Sequence, residues 1–348
     1  MILNMSGGAK ELAVKVVGGT VQPTGVAGML WCNTATVIPS WAFAVSAPSS
    51  PATGALWIQT DASSANIVNL LKRNAANVNV LRVKQWNGTI WVPLAAYYHN
   101  GTSWTQVSAT FNPQTDLPFT GTMEYIDDGN GHWRIKYKAS GTLTVAQGAA
   151  IDIFLVGAGG GGNYGGGGGG LTTNVTNYTL GSGTYSIVIG AGGSGCVTPY
   201  TTAGSNGGQT TAFGYSANGG NGAPANSIYG GNGGSAGGKL NSGGTPGENG
   251  ASNGASTVNA TGQGTTTKEF GVSTATAYGP GGGGGENDNS ADGGTGGATG
   301  GGHGARRYAY AATAGAANSG GGGGGGCAGV NGAAGGSGIV IIRDHRTT

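Results

Sequence analysis

Charge is what this sequence has least of. Lys, Arg, Asp and Glu make up 8% of its 348 residues, against roughly 25% in an ordinary soluble domain. The net charge is +2, so nothing points to nucleic acid or an anionic membrane surface as a partner. Disordered proteins combine high net charge with little hydrophobicity, and neither holds here. Cysteine is scarce too. Cys32, Cys196 and Cys327 stand far apart without C-x-x-C spacing, which argues against a disulfide scaffold and a zinc site. They read as buried thiols, with a Cys196–Cys327 bridge as the alternative. No stretch approaches the ~20 apolar residues of a membrane span, so no membrane insertion is expected. The opening "MILNMS" has neither the basic flank nor the apolar run of a secretory signal. The expectation is a protein made in a cytoplasm that leaves it by another route, such as lysis. Helix is nearly absent: "SSANIVNLLKRNA" (63–75) is the best candidate, capped by Ser63 or Ser64 and ending in Lys72 and Arg73.

What is present in excess is glycine. Of 79 glycines, 14 lie in the first 150 residues and 65 in the remainder. The first part reads as β-structure. "LAVKVVGGT" (12–20), "GMLWCNT" (28–34), "IPSWAFAV" (38–45) and "GALWIQT" (54–60) are short, apolar and bounded by turn residues, as in a small antiparallel sandwich or meander. "VKQWNGTIWVPL" (83–94) and "AYYHNGTSWTQV" (96–107) repeat one pattern. Asn-Gly suits the two positive-φ positions of a type I′ turn, so each predicts a β-hairpin. The same residues match a glycosylation sequon, which the turn already explains. "GTMEYIDDGNGHWRIKYKASGTLTV" (121–145) predicts a further hairpin; Asp127, Asp128 and Asn130 fit its turn better than a calcium loop. The resulting division is a β attachment module over 1–80, a hairpin module over 81–145 and a glycine-rich domain over 146–348. The composition changes between Gly141 and Ile151.

The glycine-rich part is not a linker. "IDIFLVGAGG" (151–160), "YSIVIGAGG" (185–193) and "GIVIIR" (338–343) are strands, and flexible linkers have no use for Tyr164, Tyr178, Phe213 or Phe270. Ordering a glycine costs about 1–2 kcal/mol and buries no side chain in return. Its N–H and C=O must therefore find partners in neighbouring segments. An extended helix with three residues per turn directs those groups outward, and glycine on every face lets such helices bond to one another. The expected fold is mostly β, with small antiparallel modules followed by a glycine-rich β and polyglycine-II-like domain.

Chemistry is harder to find. G-x-G-x-x-G recurs by composition alone, without the strand–helix context of a dinucleotide site. His99, His132, His303 and His345 fall in separate segments. The "NYGGG" and "GPGGG" contexts offer no G-x-S-x-G elbow, and no carboxylate pair suits hydrolysis. No catalysis, cofactor or metal is expected. Between the glycine tracts lie longer segments rich in Ser, Thr, Asn and Tyr. Their aromatics either stack on a ligand such as a pyranose ring or plug space above the glycine. The candidates for binding are Arg306, Arg307, Tyr308 and Tyr310, where cations adjoin rings, together with Tyr278, Tyr229 and Tyr200.

Two resemblances follow. "VVGGTVQPTGVAGMLWCNT…IPSWAFAVSAP…GALWIQTD" (16–61), with the "QWNGTIWV" and "YYHNGTSWTQV" hairpins, resembles the N-terminal module of tail proteins from phages of Gram-positive bacteria. "IDIFLVGAGGGG…YSIVIGAGG…GGSGIVIIR" (151–343) is similar to the glycine-rich domain of phage tail-fibre and tail-tip proteins. The resemblance implies a virion protein whose N-terminal half contacts other tail proteins. Its glycine-rich half would meet a host-surface glycan or protein, and a homotrimer is the favoured state. A purely structural virion component is the alternative.

Overall fold

The computed structural model describes residues 15–19, 29–33, 41–44, 56–60, 80–86, 91–94, 96–99, 104–106, 111, 113–129, 131–145, 148–298 and 300–346. The protein is mostly β. It divides into two compact units: Met1–Leu117 with Val145–Ala149 and Leu180–Ser182, and Pro118–Thr144 with Ala150–Thr179 and Gly183–Thr348.

The first unit contains strands β1 (Lys15–Gly19), β2 (Met29–Asn33), β3 (Trp41–Ala44), β4 (Leu56–Thr60), β5 (Val80–Trp86), β6 (Trp91–Leu94), β7 (Ala96–His99) and β8 (Trp104–Gln106), and helix α1 (Pro113–Asp116). They form two sheets of like plan, ordered β1-β2-β7-β8 and β3-β4-β5-β6. Both expected hairpins are present: Trp86 pairs with Trp91 and His99 with Trp104 in antiparallel register. Their turns, and the helix expected at 63–75, lie outside the described residues. Of the antiparallel sandwich or meander expected at the start, β2–β7, β7–β8, β4–β5 and β5–β6 are antiparallel, while β1–β2 and β3–β4 pair in parallel. No tight turn can join parallel strands, and the Pro-containing segments 20–28 and 45–55 are longer than a hairpin loop.

The second unit contains β9 (Met123–Gly129), β10 (His132–Tyr137), β11 (Gly141–Val145), β12 (Ala149–Val156), β13 (Thr172–Leu180), β14 (Gly183–Val188), β15 (Thr210–Ala212), β16 (Tyr215–Ala217) and β17 (Ile339–Asp344). Its sheets run β13-β12-β17-β10-β9 and β11-β14-β15-β16. The first glycine-flanked strand does close on the last: Val156 pairs with Ile339, and the register continues to Ile151 against Asp344. Strands β12 and β17 are buried on both faces, which explains their unbroken apolar runs. The hairpin of 121–145, assigned from the sequence to the 81–145 hairpin module, joins this sheet through Arg134–Arg343 to Tyr137–Val340. A pairing between segments so far apart leaves no local signal in the sequence.

Between β12 and β17 the backbone shuttles through glycine tracts. Tract 157–162 shows the rule. Its amides donate to three neighbours that run antiparallel to it: Gly157 and Gly160 to Leu171 and Gly168, Ala158 and Gly161 to Gly208 and Ser205, Gly159 and Gly162 to Gly336 and Ala333. Its carbonyls accept from three parallel neighbours: Gly193 and Cys196 donate to Gly159 and Gly162, Gly220 and Ala223 to Ala158 and Gly161, and Gly323 to Gly160. Each partner tract recurs every third residue, so the tract is a threefold extended helix with six neighbours, the polyglycine-II arrangement. Tracts 165–170 and 320–326 are enclosed in the same way. A Cβ on Gly159, Gly166 or Gly323 would overlap the carbonyl oxygen of Gly321, Gly282 or Ala333. In outer tracts one residue in three faces solvent and escapes that limit. Ala191 and Ser194, Asn218 and Asn221, and Thr295 and Ala298 are exposed at that period.

The lattice is closed at both ends by apolar side chains. Phe154, Val156, Tyr278, Ile339 and Ile341, with Phe270 against them, pack at the sheet end. Leu240, Ala305 and Cys327, with Tyr164, Ala312 and Val330, pack at the other. Cys196 and Cys327 are free buried thiols.

A cluster of charges lies on this sheet. Asp152, almost fully buried, accepts from Arg343 Nε at 2.9 Å, His345 Nδ1 at 2.8 Å and Asn177 N at 3.0 Å. Asp128 takes both Arg134 and Arg346, and Asp344 pairs with His132 Nδ1 at 2.5 Å. Burial pushes all three carboxyls up, but these donors more than offset it and hold each below the usual range. The stability they supply is full above about pH 4, the unfolded carboxyl range, and is lost as pH falls through the lowered folded values.

This packing sets measurable costs. Gly166→Ala should cost more than about 3 kcal/mol in chemical denaturation. Gly264→Ala, at φ +74° with open space around its Cβ position, should cost only about 1–2 kcal/mol. Asp152→Ala strands a buried arginine and should cost about 3–5 kcal/mol at pH 7. That deficit should shrink below pH 4, which a series of melts across pH would reveal.

Candidate functional site at the loop end of the lattice

Hydrogen-bond direction fixes which way each tract runs. Tracts 157–162, 190–195, 218–223, 235–240, 279–285, 300–305 and 320–326 lead away from the sheets, and each is followed by a returning tract. Loops 163–164, 196–203, 224–229, 241–246, 286–292, 306–312 and 327–331 are thereby brought to one end. Side chains confirm their contact. Asn163 Nδ2 donates to the Pro224 and Tyr200 carbonyls at 2.8 and 3.2 Å, and its Oδ1 accepts from Tyr200 N at 2.8 Å. Asn287 Oδ1 accepts from Ala328 N at 2.7 Å.

Six of the ten most exposed large apolar side chains among the described residues lie in these loops: Val197, Tyr200, Ile228, Tyr229, Tyr308 and Tyr310. Loop segments that had only to close a turn would not need them. Two are also held in a costly backbone conformation. Tyr200 has φ +68° and Tyr308 φ +58°, a left-handed region that costs a non-glycine residue on the order of 1–2 kcal/mol.

The sequence-derived candidates divide accordingly. Tyr308 is 79% exposed, with the Arg307 guanidinium 4.8 Å from its ring centroid. Tyr310, Tyr229 and Tyr200 are exposed, and Tyr200 packs on Tyr164 at 5.3 Å between centroids. Tyr164, ambiguous in the sequence, is thus part plug and part support. Arg306 and Arg307 brace their loop. Arg306 reaches Asp292 Oδ1 at 3.1 Å and the Asn289 carbonyl at 3.0 Å, and Arg307 reaches the Asn287 carbonyl at 3.2 Å. Tyr278 is corrected: it is 6% exposed, lies at the opposite end, and fills the core beside Phe154 at 5.5 Å. Sequence spacing cannot say where a tract ends relative to the sheet.

A carboxylate pair is built into this end. Glu286 is fully buried and accepts from Asp288 N and Asn289 N at 3.0 and 2.9 Å. Burial, then Asp288, pushes Glu286 up, while Glu286 and Ser290 hold Asp288 far below the carboxylate range. The arrangement fixes loop 286–292 by bonds from side chains to backbone. Among the described residues no group of three His, Cys, Asp or Glu is placed to hold a metal.

Val197 and Ile228 were missed by sequence reasoning, which looked for aromatics. Their position between an outgoing and a returning tract was the available signal. A family model described as a glycine-rich domain matches residues 138–344, more than half of the protein. Comparison with curated proteins finds no match.

Proposed function

The protein belongs to the glycine-rich domain family, and on that premise we propose that it is a bacteriophage tail-fibre or tail-tip protein. The N-terminal unit attaches to other tail proteins of the virion. The loop end of the lattice binds a host-surface glycan or protein. The protein carries no catalytic activity and requires no cofactor. It is made in the infected cytoplasm and works on the released particle. One observation carries this reading: exposed Val197, Tyr200, Ile228, Tyr229, Tyr308 and Tyr310 are gathered at one end of a rigid support. Binding surfaces favour loops on a fixed scaffold and aromatics that lose little entropy when held. The resemblance of 16–61 and 151–343 to phage tail modules supplies the class. A homotrimer, the state favoured by that class, would assemble through surfaces other than the inner tracts, whose neighbours all come from the same molecule.

The test uses the labelled full-length protein on a panel of Gram-positive strains. The double variant Tyr308→Ala, Tyr310→Ala should bind a susceptible strain about 30-fold more weakly, the loss of about 2 kcal/mol typical of an aromatic anchor. Its melting curve should stay close to that of the parent, since both side chains are exposed. Failure of the parent to bind any strain, or unchanged binding by loop variants, would leave the purely structural virion role.

A further inference from the structure

Asn-Gly is the sequence step most prone to spontaneous deamidation, because the glycine offers no steric bar to ring closure. The glycine nitrogen attacks the carboxamide carbon of the asparagine. A nitrogen–carbon bond forms, the bond from that carbon to the carboxamide nitrogen breaks, and ammonia leaves carrying the glycine amide proton. Water then opens the cyclic imide to aspartate or isoaspartate. No other reactant is needed.

The described residues contain seven such steps, at Asn206, Asn218, Asn221, Asn232, Asn249, Asn253 and Asn331. Their recurrence follows from the lattice. On an outer tract the exposed position carries Asn and the next faces a neighbouring tract, where only glycine fits. Several of these side chains also serve the lattice edge: Asn206, Asn232 and Asn249 accept from Gly222, Thr261 and Thr295 amides at 2.8–2.9 Å.

Six of the seven glycine nitrogens are engaged as donors. Gly207 donates to Gly220 O, Gly233 to Thr261 O and Gly250 to Thr295 O at 2.8–3.0 Å. Gly222 donates to Asn206 Oδ1 at 2.9 Å, Gly254 to Ser235 Oγ at 3.1 Å and Gly332 to Cys196 Sγ at 3.1 Å. Among the described residues the Gly219 amide makes no such bond. Asn218 itself is exposed and lies one residue beyond β16, where the tract begins. Ring closure there breaks no donor bond of the nucleophilic nitrogen, whereas at the other six it must first break one.

We infer that, of these seven steps, Asn218–Gly219 is the one that deamidates in the folded protein, and that the lattice keeps the other six intact. The modification would add a negative charge to a neutral tract and, in the isoaspartyl form, an extra backbone carbon. It falls where Asn218 O receives the Leu171 amide and Asn218 Oδ1 the Gln209 carboxamide. The product is thus a slow covalent mark of age.

The test is peptide mapping by mass spectrometry after incubation of the native full-length protein at mildly alkaline pH, beside a guanidinium-unfolded arm. The unfolded arm should deamidate at all seven steps at similar rates. The native protein should deamidate at Asn218 at least tenfold faster than at any of the other six, with isoaspartate among the products. Comparable native rates at Asn206, Asn221 or Asn232, or an intact Asn218 while another of the seven reacts, would overturn it.

Discussion

At most contacts between neighbouring tracts there is room for a backbone hydrogen bond and no room for a Cβ atom. That constraint governs the second unit. A glycine gains about 0.5–1.5 kcal/mol net from a hydrogen bond and loses about 1–2 kcal/mol of backbone entropy. A single tract therefore gains nothing by ordering alone. It becomes stable only when six neighbours satisfy every amide and carbonyl, and when something outside the lattice holds its ends. The sheet supplies one clamp, since β12 leads into tract 157–162 and β17 receives tract 332–338. The apolar group around Leu240, Ala305 and Cys327 supplies the other. The buried aliphatic strands provide the hydrophobic stabilisation that the glycines cannot.

From the same constraint come the two classes of tract. The enclosed tracts 165–170 and 320–326 are pure glycine and 157–162 departs from it only at Ala158, while outer tracts carry Asn, Ser, Thr or Ala at every third position. Outer positions serve as lattice edges, where asparagine side chains replace the missing neighbour. Loops at the far end are freed from packing duty and can hold exposed rings, even at positive φ. A second cluster of charges lies at the sheet. It ties Arg343, Asp344 and Arg346 to Asp152, His132 and Asp128 on other strands, so that β17 is latched.

Much of this was legible in the residues. The apolar runs at 151–156 and 338–343 named the two ends of the domain. The need of each glycine for a backbone partner pointed to a threefold extended helix. The period of three in "GAGGSG", "NGGNGA" and "GGTGGA" was also there to be read, and it separates outer tracts from inner ones. Long-range pairing was hidden. Nothing near Trp133 announces that its strand borders β17, and nothing near Tyr278 says which end of the lattice it closes. His132 and His345 looked isolated for the same reason, although each meets a carboxylate through the sheet.

Native-state hydrogen exchange of the amides in 159–170 and 320–326 tests the lattice most directly. Segments without conventional helix or strand normally exchange quickly. If every amide is held by a neighbouring tract, these glycines should exchange as slowly as β12 and β17, and lose protection together with them. Fast exchange through the glycine runs, with protection confined to the strands, would contradict the account.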